Sequence, residues 1–176
     1  MVYIVMDLEA TCWEKNTTIE EQEIIEIGAV KLNHHLEKID EFNCFIRPVE
    51  RPVLSSFCRA LTHISQKDVA SADTFNIAFQ QFLQWIGEGS YNIVTWGRYD
   101  IKQIRIDCRR HSLNFPKKFR KKHTNLKTEF ANRYRIKPCG MAQALDMLNL
   151  PFDGKHHRGI DDARNIAKIF RVLQQS

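Results

Sequence analysis

The chain opens on a nearly unbroken apolar run, Val2–Leu8, whose far end carries two carboxylates, Asp7 and Glu9. A run of this length, rich in β-branched residues, predicts a central strand. Side chains two apart on a strand point to one face, so Asp7 and Glu9 project together. Placed side by side at the end of a core element, they repel each other unless a cation or a proton lies between them. Hard oxygen donors of this kind suit Mg2+ or Mn2+. Taken alone, an Asp-x-Glu pair is also what a solvated strand end or a helix cap looks like.

The rest of the pattern supplies a sheet and its covering helices. Glu26–Leu32 and Glu41–Arg47 read as two further strands, Asn92–Trp96 as a short buried one, and His123–Lys127 as a fifth. Thr74–Ile86 gathers Phe75, Ala78, Phe79, Phe82, Leu83 and Ile86 on one helical stripe. Tyr99–Arg110 and Pro138–Leu148 read as helices. The last helix begins just after His156-His157-Arg158-Gly159 and repeats Ile160, Ala163, Ile166, Ala167, Phe170 and Leu173 at three- and four-residue spacing. Strands first, then alternating helix and strand, then helices, indicate a layered α/β domain with a mixed sheet. At 176 residues the chain is expected to form a single domain spanning 1–176.

Three more ionisable residues join the carboxylate pair. Asp100 follows the Trp96-Gly97-Arg98-Tyr99 turn after a buried strand, where a sheet-based domain brings in ligands from a second strand; an aspartate at a helix start is equally a cap. Asp162 shares a helical stripe with Ile166, Ile169 and Leu173, so it faces the protein and needs a partner there, which a metal ion would provide. Asp161 points about 100° away and suits the helix N-terminus. His157 lies in a loop with glycines at both ends, Gly154 and Gly159, and a histidine there is suited to take a proton from water near neutral pH.

Charge is unevenly distributed. Residues 1–50 hold 11 acidic against 4 basic side chains, whereas residues 101–140 hold 13 basic against 2 acidic, with a net charge of +5 for the chain. This asymmetry suits a polyanion held on the basic side while its chemistry occurs on the acidic side. The densest basic stretch, Lys117–Lys122, is equally readable as a solvated surface loop. The 5 cysteines are widely separated with no C-x-x-C pair, which argues against a disulfide framework or structural zinc. No apolar run approaches the roughly 20 residues of a membrane span, and the acidic opening does not read as a signal peptide. A cytoplasmic protein with no membrane partner is expected.

Five segments together resemble a known family. They are Asp7–Trp13 (DLEATCW), Gln22–Val30 (QEIIEIGAV), Cys58–Ser65 (CRALTHIS), Trp96–Asp100 (WGRYD) and His157–Ala167 (HRGIDDARNIA). In this order they are similar to the DEDD exonucleases. The histidine five residues before the last aspartate points to the DEDDh branch, which includes ribonuclease T and polymerase proofreading subunits. The Ala-Thr-Cys after Glu9 and the Gly-Ile-Asp-Asp-Ala-Arg-Asn-Ile stretch most resemble the ERI-type exoribonucleases.

The resemblance implies a ribonuclease H-like fold, a five-stranded mixed sheet flanked by helices. It implies two Mg2+ or Mn2+ ions held by Asp7, Glu9, Asp100 and Asp162, with His157 as the general base; His156 stands at the same offset from Asp161 as His157 from Asp162. It further implies that Leu8, Ala10 and Thr11 hold the terminal nucleotide. Trp96 is either a stacking platform or a core residue. The expected substrate is the 3′ end of single-stranded RNA rather than DNA, cut to nucleoside 5′-monophosphates. Larger relatives add nucleic-acid-binding segments, so the expectation is a compact bacterial or phage-like enzyme acting on short strands. A DNA exonuclease of proofreading or repair type and a catalytically silent nucleic-acid-binding module stay open beside it, as does the oligomeric state.

Overall fold

A computed structural model describes residues 1–15 and 18–175. Its centre is a five-stranded sheet in the order β3-β2-β1-β4-β5. The strands are β1 (Val2–Ala10), β2 (Ile24–Leu32), β3 (Lys38–Phe45), β4 (Tyr91–Thr95) and β5 (His123–Asn125). β1–β2 and β2–β3 pair antiparallel, β1–β4 and β4–β5 parallel. This is the mixed five-stranded sheet with flanking helices expected of a ribonuclease H-like fold.

The helices are α1 (Ser56–Thr62), α2 (Gln66–Ala70), α3 (Phe75–Ile86), α4 (Tyr99–Arg110), α5 (Lys117–Lys121), α6 (Leu126–Tyr134), α7 (Met141–Met147) and α8 (Gly159–Gln175). Strand alternation sorts them to two faces. Ile4, Met6 and Leu8 of β1 turn toward α3, α4 and Phe119 of α5; Val5 turns toward α6, α7 and α8. Asp7 and Glu9 follow the phase of Val5, which puts them on the side covered by α8. α8 lies across both β1 and β2, with Ile166, Ile169, Phe170 and Leu173 buried against them.

Two features of β1 create the site. Its parallel pairing with β4 stops at Val5↔Val94, while its pairing with β2 continues to Ala10. The end of β1 therefore runs on beyond its neighbour, and the start of α4 fills the vacated flank. There the Leu8 N–H donates to Asp100 Oδ1 at 3.2 Å. The crevice lies where β1 separates its antiparallel and parallel neighbours, at the strand ends where ligands enter such sheets.

Several expected elements shift at their ends. β1 extends through Glu9, so the carboxylate pair belongs to the strand rather than its exit. The fifth strand ends at Asn125, whose side chain accepts from Thr128 N at 3.3 Å and caps α6 instead. The helix expected from Pro138 starts at Met141, after Gly140 at its N-cap. Among the described residues all five cysteines are free, and no helix is long and apolar enough to cross a membrane.

Candidate active site

Carboxylate oxygens of Asp7, Glu9 and Asp162 lie within 4.8 Å of one another. β1 supplies the first two and the opening turn of α8 the third. Glu9 and Asp162 are buried and Asp7 is half-buried. Burial first and neighbouring carboxylates second oppose their ionisation. Asp7 is raised well above the ordinary range, Glu9 to about 9 and Asp162 to about 7. Asp162 Oδ2 accepts from the backbone of His157 at 3.0 Å. Its other oxygen, Oδ1, is buried without a hydrogen-bond partner among the described residues. Buried acceptors are normally satisfied, so an orphaned carboxylate oxygen beside two more carboxylates fits a hard divalent cation.

Asp100 stands slightly apart. It sits in the first turn of α4, is buried, and lines the same cavity, but it lies outside the close trio. Burial raises its carboxyl to about 6, against the bonds it accepts from its own and the Leu8 backbone N–H. Asp100 also heads the neighbouring charges that raise Asp7.

The two histidines and two aspartates at the start of α8 differ in what already occupies them. Asp161 is engaged by the Lys155 backbone N–H at 2.9 Å and by Arg164 Nη1 at 3.0 Å. A Cβ at Gly154, where φ is +88°, would overlap that same carboxylate. Asp162 faces the site instead, so the helical stripe separated the pair correctly. His156 and His157 stack with ring centroids 4.1 Å apart, and both lie within ligand distance of Asp162. His156 is exposed and His157 half-buried, with a φ of +62° that places it in the left-handed region. Burial, then His156 and His63, pushes the His157 imidazole below its ordinary value.

Glu26 carries a role that sequence reasoning missed. It is opposite Glu9 across the β1–β2 ladder and fully buried. Two like charges at such a position are unfavourable unless one is compensated. Arg158 does this with Nε and Nη2 each 3.2 Å from the Glu26 carboxylate, and the Gly159 N–H adds a bond at 3.0 Å. Glu26 thus anchors the start of α8 from a residue 132 positions away. The only local sign was an acidic residue in the middle of an apolar strand.

Backbones make this approach possible. A Cβ at Gly28 would overlap the backbone of Gly159 and Ile160, and one at Gly159 would sit 3.2 Å from the Asp7 carbonyl oxygen. Glycine at both positions lets α8 begin directly on the sheet.

The carboxylates open into a cavity of about 450 Å3. Leu8, Ala10 and Trp96 line it, whereas Thr11 does not. The Thr11 hydroxyl is turned inward and accepts from Glu23 N at 2.9 Å. Trp96 serves two surfaces, since its ring packs on Phe130 and its indole N–H donates to the Cys139 carbonyl at 3.2 Å. Tyr99, not singled out from the sequence, joins the lining, and its hydroxyl bonds Gln22 Oε1 at 2.7 Å. The basic stretch Lys117–Lys122 is helical rather than a loop. It forms α5, buries Phe119 in the core, and uses Lys118 on the Glu88 and Gly89 carbonyls.

Comparison with known proteins identifies the family. A family profile described as Exonuclease (RNase_T) matches residues 4–170. The chain is 36% identical to a Homo sapiens 3′-5′ exoribonuclease 1 over 97% of its own length, and 35% identical to the Homo sapiens ERI1 exoribonuclease 2 over 94%. It spans 52% and 27% of those two proteins respectively. The crystal structure of the nuclease domain of 3′hExo, a DEDDh family member bound to rAMP, superposes with a TM-score of 0.92 at 34% identity, covering 99% of this chain and 92% of that one. The chain belongs to the exonuclease family, on its DEDDh branch.

Proposed function

We propose that this chain is a 3′→5′ exoribonuclease that uses two Mg2+ or Mn2+ ions to hydrolyse single-stranded RNA to nucleoside 5′-monophosphates. The observation that carries the reading is the buried trio Asp7, Glu9 and Asp162, with its orphaned oxygen, beside a half-buried histidine at the mouth of one cavity. The choice of RNA is supported by the exoribonuclease relatives and by the rAMP held by the similar nuclease domain.

In this reading Asp7, Glu9 and Asp162 hold the tighter cation, and Asp7 with Asp100 the second. When bound, the ions neutralise charge on the attacking and leaving oxygens of the displacement. His157 accepts the proton of the attacking water. Its lowered pKa keeps the imidazole neutral and able to do so at neutral pH. Attack at phosphorus expels the 3′-oxygen of the preceding nucleotide, so the released nucleotide retains its 5′-phosphate. Leu8 and Ala10 confine the terminal nucleotide, and the exposed edge of Trp96 offers it an apolar surface.

The test uses 5′-labelled single-stranded RNA and DNA of one sequence, incubated with Mn2+ or Mg2+. A descending ladder on RNA that disappears with EDTA and with Asp7→Asn supports the proposal. A stronger ladder on DNA would favour a repair-type nuclease. Undiminished RNA degradation by Asp7→Asn would discard the site itself.

A further inference from the structure

Another cavity, of about 420 Å3, is lined, like the first, from the turn at the start of α4. Arg98, Lys102 and Arg105 line it from α4 and its N-cap, and Arg120 from α5. Spacings of four and three residues place the first three on one helical stripe. His123 and Asn125 of β5 contribute to the wall, and no Asp or Glu does.

These four cations share one concave wall that holds no carboxylate. Elsewhere Arg51 meets Glu21, Arg110 meets Glu50, Arg158 meets Glu26 and Arg164 meets Glu41. Among the described residues, no carboxylate pairs with the side chains of Arg98, Lys102, Arg105 or Arg120. Charges of one sign gathered in a concavity raise its potential and draw in counter-ions. Burial, followed by the nearby Arg98 charge, also pushes the His123 imidazole below its ordinary value. The arrangement favours an anion as its occupant.

Position selects which anion. Gly97 and Tyr99 line the carboxylate cavity while Arg98, between them, lines the cationic one. From Arg98 to Arg105 the helix rises about 10 Å, a reach that suits a repeating polyanion better than a lone phosphate. A strand with its 3′ end in the first cavity would meet Arg98 on its way to the second.

Resting on the exoribonuclease reading, we propose that Arg98, Lys102, Arg105 and Arg120 form a phosphate-binding subsite for the single-stranded RNA backbone, a few nucleotides 5′ of the cleaved bond. The subsite makes the protein favour strands long enough to reach it. Of the Lys117–Lys122 run, only Arg120 lines this cavity.

The test compares Lys102→Ala/Arg105→Ala/Arg120→Ala with Arg47→Ala/Lys67→Ala/Arg171→Ala. The two variants remove equal charge from exposed positions, the second set lying outside both cavities. Binding of a fluorescent RNA of about 12 nucleotides is measured in EDTA across a salt series. The first variant should flatten the plot of log K against log[salt] by about 2 units, at roughly 0.7 per lost contact, and the second should leave it near the parent's slope. With Mn2+, KM for that RNA should rise about tenfold or more in the first variant, while hydrolysis of a dinucleotide stays at the parent's rate. An unchanged slope in the first variant, or an equal loss in both, would overturn the subsite. A parent that binds RNA but hydrolyses none refutes the exoribonuclease reading instead, and the salt comparison still decides the subsite.

Discussion

Asp162 and His157 define what single side chains do here. The orphaned Asp162 oxygen and its raised pKa both record a carboxylate kept from water without a counter-charge. Divalent metal should raise the melting temperature of the parent, by an amount equivalent to about 2.7 kcal/mol at a hundredfold excess over Kd. Asp162→Asn should lose most of that shift, which a thermal melt with and without Mn2+ will show. For the histidines the expectation is asymmetric. His157→Ala should lower kcat by about 10²- to 10⁴-fold, the usual scale of general base catalysis, and retain the metal-induced shift in melting. His156→Ala should have a much smaller effect on kcat. Equal losses from both, measured on the same RNA, would reject His157 as the base. The exposed ring and the half-buried one are neighbours in sequence, so only their environments separate them.

At the scale of elements, the decisive contact is the seating of α8 on β1 and β2. Gly28 and Gly159 allow the backbones to meet, and Glu26 with Arg158 fixes the rotation that aims Asp162 inward. Gly28→Ala must push the start of α8 away from the sheet. A destabilisation of about 1–3 kcal/mol is expected from overpacking, seen in urea unfolding, with a fall in kcat because Asp162 and His157 move with the helix. Were stability to drop with kcat intact, the seating of α8 would not control the site. This contact was only half legible. The apolar stripe of α8 is local and could be read from its spacing, but the residue it meets is more than a hundred positions away. α6 was missed because its His-Thr-Asn-Leu approach reads as strand and its buried stripe, Leu126, Phe130 and Ala131, is short. α1 and α2, at 7 and 5 residues, are too short to show a period at all.

For the whole molecule, the buried carboxylates make stability depend on pH in an unusual direction. Glu9, Asp162 and Asp100 hold their protons to about 9, 7 and 6, above their ordinary values. When the folded pKa is the higher one, the unfolded chain loses the proton first, so stability present at low pH is lost as pH rises through that window. In EDTA the melting temperature should therefore fall as pH rises from about 5 to about 9, and Glu9→Gln should flatten the trend. Mg2+ or Mn2+ should reverse it by favouring the ionised forms. A metal-free melting curve that rises over this range equally for parent and Glu9→Gln would contradict the assigned cluster. The same scale joins the acidic and basic halves of the chain. Asp7 and Glu9 of the acidic segment meet Asp100 and Asp162 at the end of β1, and α4 carries cations beside that crevice.

By itself the sequence determined the periodic features. The period of two on β1 aligned Asp7 with Glu9, the helical period of α8 turned Asp162 rather than Asp161 inward, and five ordered segments carried the family resemblance. Each depends on neighbours a few residues apart, where local geometry sets direction. Only the tertiary structure decided how those features meet. It turned Thr11 into a strand link, gave Glu26 the task of holding α8, joined Asp100 to Leu8, and drew Arg98, Lys102, Arg105 and Arg120 together. These are contacts between elements remote in the chain. Burial, backbone approach and charge compensation select them once the layers pack, and no local period encodes them.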